Sequence, residues 1–193
     1  FIAQWNLARL AESLLPLMHD EREDAIGMAE DSLNAFEQVY KAKWLSMMGS
    51  KLGLAEAKKE DENLITGLLD WMHANEADFT NTFRDLSQEE IPDGELFATE
   101  SFQVWHTRWQ ARLGEETQDL KSSLDLMQSV NPAVIPRNHK VEEALQAGEQ
   151  GDLEPFNDLL KALEAPYEDG DHLAPYQSPP KPEEKVLQTF CGT

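Results

Sequence analysis

The sequence predicts an all-α fold, and three observations support this prediction. Apolar residues recur every three or four positions in each long segment of the chain. No segment shows the sustained apolar and polar alternation of a β-strand, and no internal repeat is visible. Among 193 residues, 40% are hydrophobic and five are tryptophans, which is enough apolar material for a core. We therefore expect about seven to eight helices, followed by a proline-rich tail.

The first two predicted helices fill the N-terminal quarter of the chain. Apolar spacing places the first at about residues 3–19, with Pro16 inside it. Because proline lacks the backbone N–H that a helix interior needs, we expect this helix to kink or end near Leu15. The second helix covers about residues 24–52, and Gly53 is its expected stop.

Four more helices are predicted in the middle of the chain. The same spacing places them at about residues 64–72, 76–86, 102–113 and 120–130. A Pro-Asp-Gly turn at 92–94 separates the second of these from the third.

The C-terminal third of the chain changes texture twice. Two X-Pro pairs within 131–136 predict an extended segment, and two short helices follow at about 140–148 and 152–164. From Ala165 onward there are five prolines, so we expect a semi-rigid extended tail and no helix. The predicted organisation is a helical segment at 1–164 and an extended tail at 165–193.

The net charge restricts the kinds of partner that the chain can bind. There are 37 acidic residues against 16 basic ones, for a formal net charge of −21. Such a surface repels nucleic-acid backbones and anionic lipid, so DNA, RNA and membrane surfaces are not expected partners. No apolar run approaches the roughly 20 residues of a membrane span. Solubility alone is a sufficient explanation of the charge.

The chain lacks the motifs of a complete active site. Neither a glycine-rich phosphate loop nor a Gly-x-Ser-x-Gly motif occurs in it. No two histidines have the spacing of a helical metal site. The five histidines are His19, His73, His106, His139 and His172. We therefore predict no catalytic, cofactor-binding or metal-binding residue in this chain.

Three features have both a structural and a functional interpretation. Trp105 and Trp109 lie one helical turn apart, and core packing is favoured over an aromatic ligand platform. Arg84 is expected to pair with a carboxylate on a neighbouring helix. The asparagines and the arginine of segment 131–138 are interpreted as a clamp, because an extended segment must satisfy its backbone polar groups.

Short stretches along the whole chain occur in the order found in one protein family. In this order they resemble the C-terminal part of the selenoprotein O family, protein adenylyltransferases built on a protein-kinase-like fold. The departures are Pro136, where the family usually has leucine, and His139-Lys140, where it usually has an aromatic and an aliphatic residue. The matching stretches are QWNLARLAE at 4–12, KLGL at 51–54, ADFTNTFR at 77–84, Asn131-Pro132, Arg137-Asn138, Gly151-Asp152, Pro166-Tyr167 and the terminal Cys191-Gly192-Thr193.

The resemblance implies a helical C-lobe portion of a kinase-like fold. Members of the family bind ATP with Mg or Mn and transfer AMP to hydroxyl side chains of proteins. Their nucleotide, metal and catalytic residues belong to a part that would precede Phe1, which opens the sequence without methionine. The implied partners are that missing N-terminal catalytic part and protein substrates. If so, Trp5, Leu7 and Leu10 should form an exposed apolar patch where that part docks.

A second hypothesis is a free-standing helical scaffold that binds a partner through an apolar groove and catalyses nothing. It explains the missing catalytic motifs without a missing half. The match to the selenoprotein O family along the whole chain argues against it.

Cys191 is the single cysteine and the predicted redox residue. The resemblance implies this role, because the family places cysteine or selenocysteine third from the end. With no second cysteine, oxidation can give only a mixed disulfide, an intermolecular dimer or an oxyacid. A single cysteine also fits a reducing compartment, cytoplasmic in a bacterium or mitochondrial in a eukaryote.

Overall fold

The computed structural model describes residues 2–187, and this part of the chain is mostly helical. It contains nine α-helices and no β-strand, which confirms the predicted all-α class. Short 3-10 turns lie at Lys59–Asp61, Asp171–Leu173 and Pro182–Glu184. The helices are α1 (Ile2–Met18), α2 (Arg22–Lys51), α3 (Glu62–Ala74), α4 (Phe79–Asp85), α5 (Glu100–Leu113), α6 (Leu120–Val130), α7 (Asn138–Glu149), α8 (Glu154–Ala162) and α9 (Ala174–Gln177).

The chain divides into two compact units, the N-terminal unit up to Met48 and the C-terminal unit from Gly49 onward. The N-terminal unit consists of α1 and most of α2, and no residue of α1 is buried. Helix α1 continues through Pro16 to Met18, so of the predicted kink or end near Leu15 the end is wrong, and the kink stays a prediction. Pro16 and Glu12 are both exposed, so water can solvate the Glu12 carbonyl that the proline leaves without an N–H donor.

The core of the C-terminal unit forms mainly between α3 and α5. The Trp71 ring packs against Phe97 and Phe102, and Phe102 in turn packs against Trp105. Side-chain oxygens of Asp78, Thr99 and Asp119 accept backbone N–H bonds at the starts of α4, α5 and α6.

Gly53 follows α2 with a φ of +78°, a conformation that favours glycine. A Cβ there would lie 3.1 Å from Met127 Sδ and from Ser123 Cβ. Both the backbone conformation and the close approach of α6 require glycine, so the predicted stop of α2 is confirmed.

The region after residue 164 is more structured than the sequence predicts. Leu173 is buried in a cluster with Ala133, Val134 and Ala162. The extended, non-helical chain predicted here is wrong for residues 171–177, which form a 3-10 turn and α9. A proline in the first turn of a helix, as at Pro175 in α9, is compatible with helix formation. The domain boundary predicted at residue 164 remains a prediction.

Candidate functional site

Helix α4 carries the ADFTNTFR stretch and contributes several side chains of a polar cluster, of which Arg84, Asn131 and Arg137 are buried. We define this cluster by Lys51, Asp78, Arg84, Asn131, Arg137 and Asp169. Asp78 Oδ1 accepts the backbone N–H of Asn81 at 2.9 Å, which fixes the start of α4. Arg84, at the other end of the helix, then lies inside the C-terminal unit, where its side chain is 7% exposed.

All five N–H donors of the Arg84 guanidinium have acceptors. Nε and Nη2 donate to the two carboxylate oxygens of Asp169, and Nη2 also donates to the Tyr167 carbonyl at 3.2 Å. Nη1 donates to the carbonyls of Gln128 and Asn131 at 3.2 and 2.9 Å. The predicted pairing with a carboxylate is correct, but Asp169 belongs to the loop after α8 and not to a helix. Arg84 thus joins α4 to the end of α6 and to this loop.

Asn131 is fully buried at the end of α6 and connects it to the end of α2. Its Nδ2 donates to the Lys51 carbonyl at 2.9 Å and to Ser87 Oγ at 3.1 Å. Lys51 Nζ returns bonds to Asn131 Oδ1 at 3.2 Å and to the Val130 carbonyl at 3.1 Å. These bonds satisfy carbonyls at two helix ends, as the clamp interpretation of Asn131 predicts.

Lys51 also lies over two aromatic rings. Its ammonium nitrogen is 5.9 Å from the ring centroid of Phe79 and 5.6 Å from that of Phe83. Burial lowers the pKa of Lys51, while the two rings and the two oxygen acceptors favour its charged form. The lysine therefore serves as a cation that closes the C-terminal end of α2.

Arg137 forms the second ion pair of the cluster, with Asp78. Its Nη1 and Nη2 donate to the two oxygens of Asp78 at 2.8 and 3.0 Å, and Nη2 also reaches Asn81 Oδ1 at 2.9 Å. Burial alone would raise the pKa of Asp78, but the Arg137 and backbone hydrogen bonds lower it on balance. The clamp prediction is confirmed for Arg137. Asn138 instead begins α7 and is exposed.

Asp85, the last residue of α4, lies next to the cluster and has a raised carboxyl pKa. Burial, together with the smaller effect of the negative charge of Asp78, raises the pKa of Asp85 to about 6. A carboxyl with a raised pKa is a common feature of catalytic sites, but structural networks produce the same shift. No catalytic partner for Asp85 is evident among residues 2–187, so we assign it no chemical role.

The remaining buried carboxylates of the C-terminal unit are held in the same manner. Arg112 Nε donates to Asp61 Oδ1 at 2.8 Å, and Arg112 Nη1 donates to Glu116 Oε1 at 2.6 Å. Asp61 and Glu116 are therefore committed to an arginine, as are Asp78 and Asp169. Within residues 2–187, no three His, Cys, Asp or Glu side chains are grouped to hold a metal ion. These residues do not fit a metal-bound nucleotide, and they join helices instead.

The two tryptophans of α5 belong to the core. Trp105 Nε1 donates to the Leu64 carbonyl and Trp109 Nε1 to the Leu52 carbonyl, each at 2.9 Å. Their rings stack at 5.6 Å between centroids, and both side chains are buried. The core interpretation is confirmed over the ligand platform. His106 lies between the two tryptophans in sequence, and burial lowers its pKa.

The N-terminal unit presents an apolar face. Trp5, Leu7 and Leu10 are exposed, as predicted for an uncovered surface. A groove of about 350 Å³ runs between α1 and α2, and its lining is almost entirely apolar. Its lining includes Leu7, Leu10, Leu14, Leu33, Phe36 and Val39. We call this surface, with Trp5, the N-terminal apolar face.

Two further predictions from the sequence concern the redox role of Cys191 and the lack of a membrane span. Cys191, the predicted redox residue, lies outside the described residues. In residues 2–187, no helix combines the length and the apolar character that crossing a membrane requires.

Sequence reasoning missed Asp169, Lys51 and the Arg112 pairs. A signal was present only for the last of these, since Arg112 and Glu116 have the spacing of a helical ion pair.

Comparison with known proteins gives a consistent result along the chain. The family model described as "Protein adenylyltransferase SelO" matches residues 1–164. A "Protein nucleotidyltransferase YdiU" from Alcanivorax borkumensis is 54% identical over 193 residues, which is 100% of this chain and 40% of that protein. Proteins of the same name from Nitrosococcus oceani and Pelagibacter ubique are 49% and 46% identical, over 100% of this chain and 39% and 40% of their own lengths.

The chain thus spans about two fifths of the length of the curated relatives that it matches. Those relatives are named for nucleotide transfer to protein. The match over 164 residues and the identities near one half are far above what shared helical composition produces. On these grounds the chain belongs to the protein adenylyltransferase SelO family.

Proposed function

We propose that this chain is the helical C-lobe portion of a kinase-like protein adenylyltransferase, in which it serves as a scaffold for a catalytic part held elsewhere. The whole protein would transfer AMP from ATP, with Mg or Mn, to hydroxyl side chains of other proteins. The observation that carries this proposal is the family match over residues 1–164, combined with coverage of only 40% of the most similar relative cited above.

The polar cluster supports a scaffold role for this chain. Its arginines are paired with its carboxylates, and phosphoryl or nucleotidyl transfer instead needs cationic groups and metal ions directed at a substrate. What the cluster provides is a rigid junction between the ends of α2, α4 and α6. Such a junction can hold the surface on which a catalytic part rests.

The N-terminal apolar face is the surface that we assign to that contact. Trp5, Leu7 and Leu10 are exposed beside a groove whose lining is almost entirely apolar. An exposed apolar surface of this kind marks an interaction site. We propose that the remaining three fifths of the protein cover it.

The test is reconstitution with the complementary part of a relative. The chain is joined to the N-terminal three fifths of the Alcanivorax borkumensis protein, and incorporation of AMP from α-labelled ATP into protein is measured. We expect incorporation by the chimera and none by the chain alone. Calorimetry of the chain with ATP and Mg provides the second arm. Micromolar binding to the chain alone would contradict a pure scaffold role.

The apolar contact has its own variant. Leu10→Asp in the chimera should abolish incorporation, while Val104→Asp, at an exposed apolar position of α5, should leave it unchanged. Equal activity of the two variants would contradict the assigned contact and leave the transferase proposal intact.

A redox role for Cys191 is a separate part of the proposal. We propose that its thiol is oxidised to a mixed or intermolecular disulfide under mild oxidation. Non-reducing gel electrophoresis, with Cys191→Ser as the control, should show a dimer band that only the wild type forms. A wild-type thiol that neither dimerises nor reacts with an alkylating reagent would contradict this role.

A further inference from the structure

The helix α8 exposes an apolar stripe on a surface that the polar cluster does not use. Leu153, Phe156 and Leu160 are 59%, 44% and 49% exposed, although Leu159 and Ala162 of the same helix are buried. Phe156 and Leu160 are four positions apart, so they lie along one side of α8, and Leu153 is the residue that directly precedes the helix. Scattered exposed leucines are ordinary on a protein surface, but a row at helical spacing is a continuous apolar strip.

At Leu153 the stripe reaches the C-terminal end of the preceding helix, α7. Leu153 Cδ2 lies 3.8 Å from the position that a Cβ on Gly148 would occupy. Leu145, one turn before Gly148 on α7, is also exposed. We call Leu145, Leu153, Phe156 and Leu160 the α7–α8 stripe. Helices α7 and α8 pack closely on each other, so the stripe belongs to one firm hairpin.

The hairpin around the stripe is strongly acidic. Residues 138–164 contain seven acidic and two basic side chains, for a net charge of −5. One of the two basic residues, Lys140, is paired with Glu143 at 2.7 Å. A ligand with apolar side chains on one face and lysines or arginines beside them would match both the stripe and its rim. Like charge opposes a second copy of this chain, and it opposes nucleic acid and anionic lipid as well.

We propose that the α7–α8 stripe is a docking surface for a basic amphipathic helix of a partner protein. The apolar row supplies anchors at the spacing that a helix in a groove uses, and the acidic rim supplies attraction and orientation. This inference is independent of the proposed transferase activity, because it rests only on the hairpin's own exposure and charge. Binding should weaken as salt rises, since the rim charges are exposed.

The test uses the whole chain and a defined probe. The probe is a fluorescein-labelled amphipathic peptide of leucine and lysine, about 14 residues long, which spans about 20 Å as a helix. Fluorescence anisotropy should show saturable binding that Phe156→Ser with Leu160→Ser weakens by about tenfold or more. A peptide with glutamate in place of every lysine should not bind.

Matched controls locate the binding on the molecule. Val104→Ser changes an exposed apolar residue of α5, and Leu10→Ser changes the N-terminal apolar face. Both should bind the peptide like the wild type. If Leu10→Ser lowers affinity and the α8 double variant does not, the peptide binds the other face and the proposal is overturned. Equal affinity of all variants overturns it too, as does sedimentation showing that the stripe instead joins two copies of the chain. Circular dichroism of the double variant checks that α8 still folds.

Discussion

In the C-terminal unit Phe83, Phe102, Leu68 and Ile65 are almost completely buried, whereas no residue of α1 in the N-terminal unit is. In the C-terminal unit, arginine–carboxylate pairs join segments that are far apart in sequence. In the N-terminal unit Ala25 and Ala29 of α2 are buried, but larger apolar residues such as Trp5, Leu10 and Val39 remain exposed. The difference shows that apolar periodicity alone does not tell whether a side chain is buried within its own chain or stays exposed.

The polar cluster satisfies backbone carbonyls at helix ends of the C-terminal unit. Buried carbonyls at the ends of α2 and α6 would be costly without donors, and Asn131 and Arg84 provide them. The N-terminal unit has exposed ion pairs along its helices, such as Lys41 with Glu37 and Arg9 with Glu12, and exposed pairs contribute little.

The largest expected effect follows from removing Arg84. Arg84→Met leaves the buried carbonyls of Gln128 and Asn131 without a donor and leaves Asp169 without its cation. We expect a loss of about 3 kcal/mol in the free energy of unfolding of the C-terminal unit, measured by urea titration of tryptophan fluorescence. Arg108→Met, at an exposed position of α5, is the matched control and should change stability by less than about 0.5 kcal/mol. Similar losses for the two variants would show that the cluster is not what stabilises the unit.

The second prediction concerns the two units directly. Because α1 has no buried residue, its amides should open more easily than those of α3 and α5. Hydrogen exchange followed by mass spectrometry should show exchange about 100-fold faster in α1 than in α3. In the chimera with the complementary part of a relative, the exchange of α1 should slow toward that of α3. Equal protection of both helices in the isolated chain would contradict the contrast between the units.

Much of this fold could be predicted because its signals are local. The periodicity of apolar residues gave α3, α5 and α6 nearly as they are, and two X-Pro pairs gave the extended segment before α7. The stacking of Trp105 on Trp109 also follows from their spacing. Where the prediction failed, at Pro16 and at α9, a proline occurs at a helical position that tolerates it, near an exposed end or in a first turn.

The site was less predictable, because its contacts join distant segments. Arg84 was expected to find a carboxylate, but nothing local identifies Asp169, which follows it by 85 positions. Asn131 and Arg137 were correctly interpreted as a clamp, since an extended segment between helices must be hydrogen-bonded. The partner of each could be known only from the folded chain. Lys51 gave no signal either, because its role depends on where α6 ends.

The smallest expected effect concerns Asp85, whose charged form should lower the free energy of unfolding. Burial and the nearby charge of Asp78 raise the pKa of Asp85 to about 6, above the roughly 3.9 of an unfolded chain. The folded state therefore binds this proton more tightly, so the contribution of Asp85 is most favourable below about pH 4 and is lost as pH rises through about 6. Asp85→Asn should raise the free energy of unfolding by about 1 kcal/mol at about pH 8, allowing for partial solvent screening, and by almost nothing at about pH 4. Urea titrations at the two pH values measure this difference. Asp70→Asn, at an exposed position of α3, should show no such pH-dependent gain. If Asp85→Asn raises the free energy of unfolding equally at both pH values, the charge of Asp85 is not the cause. The gain would then come from the packing at the end of α4.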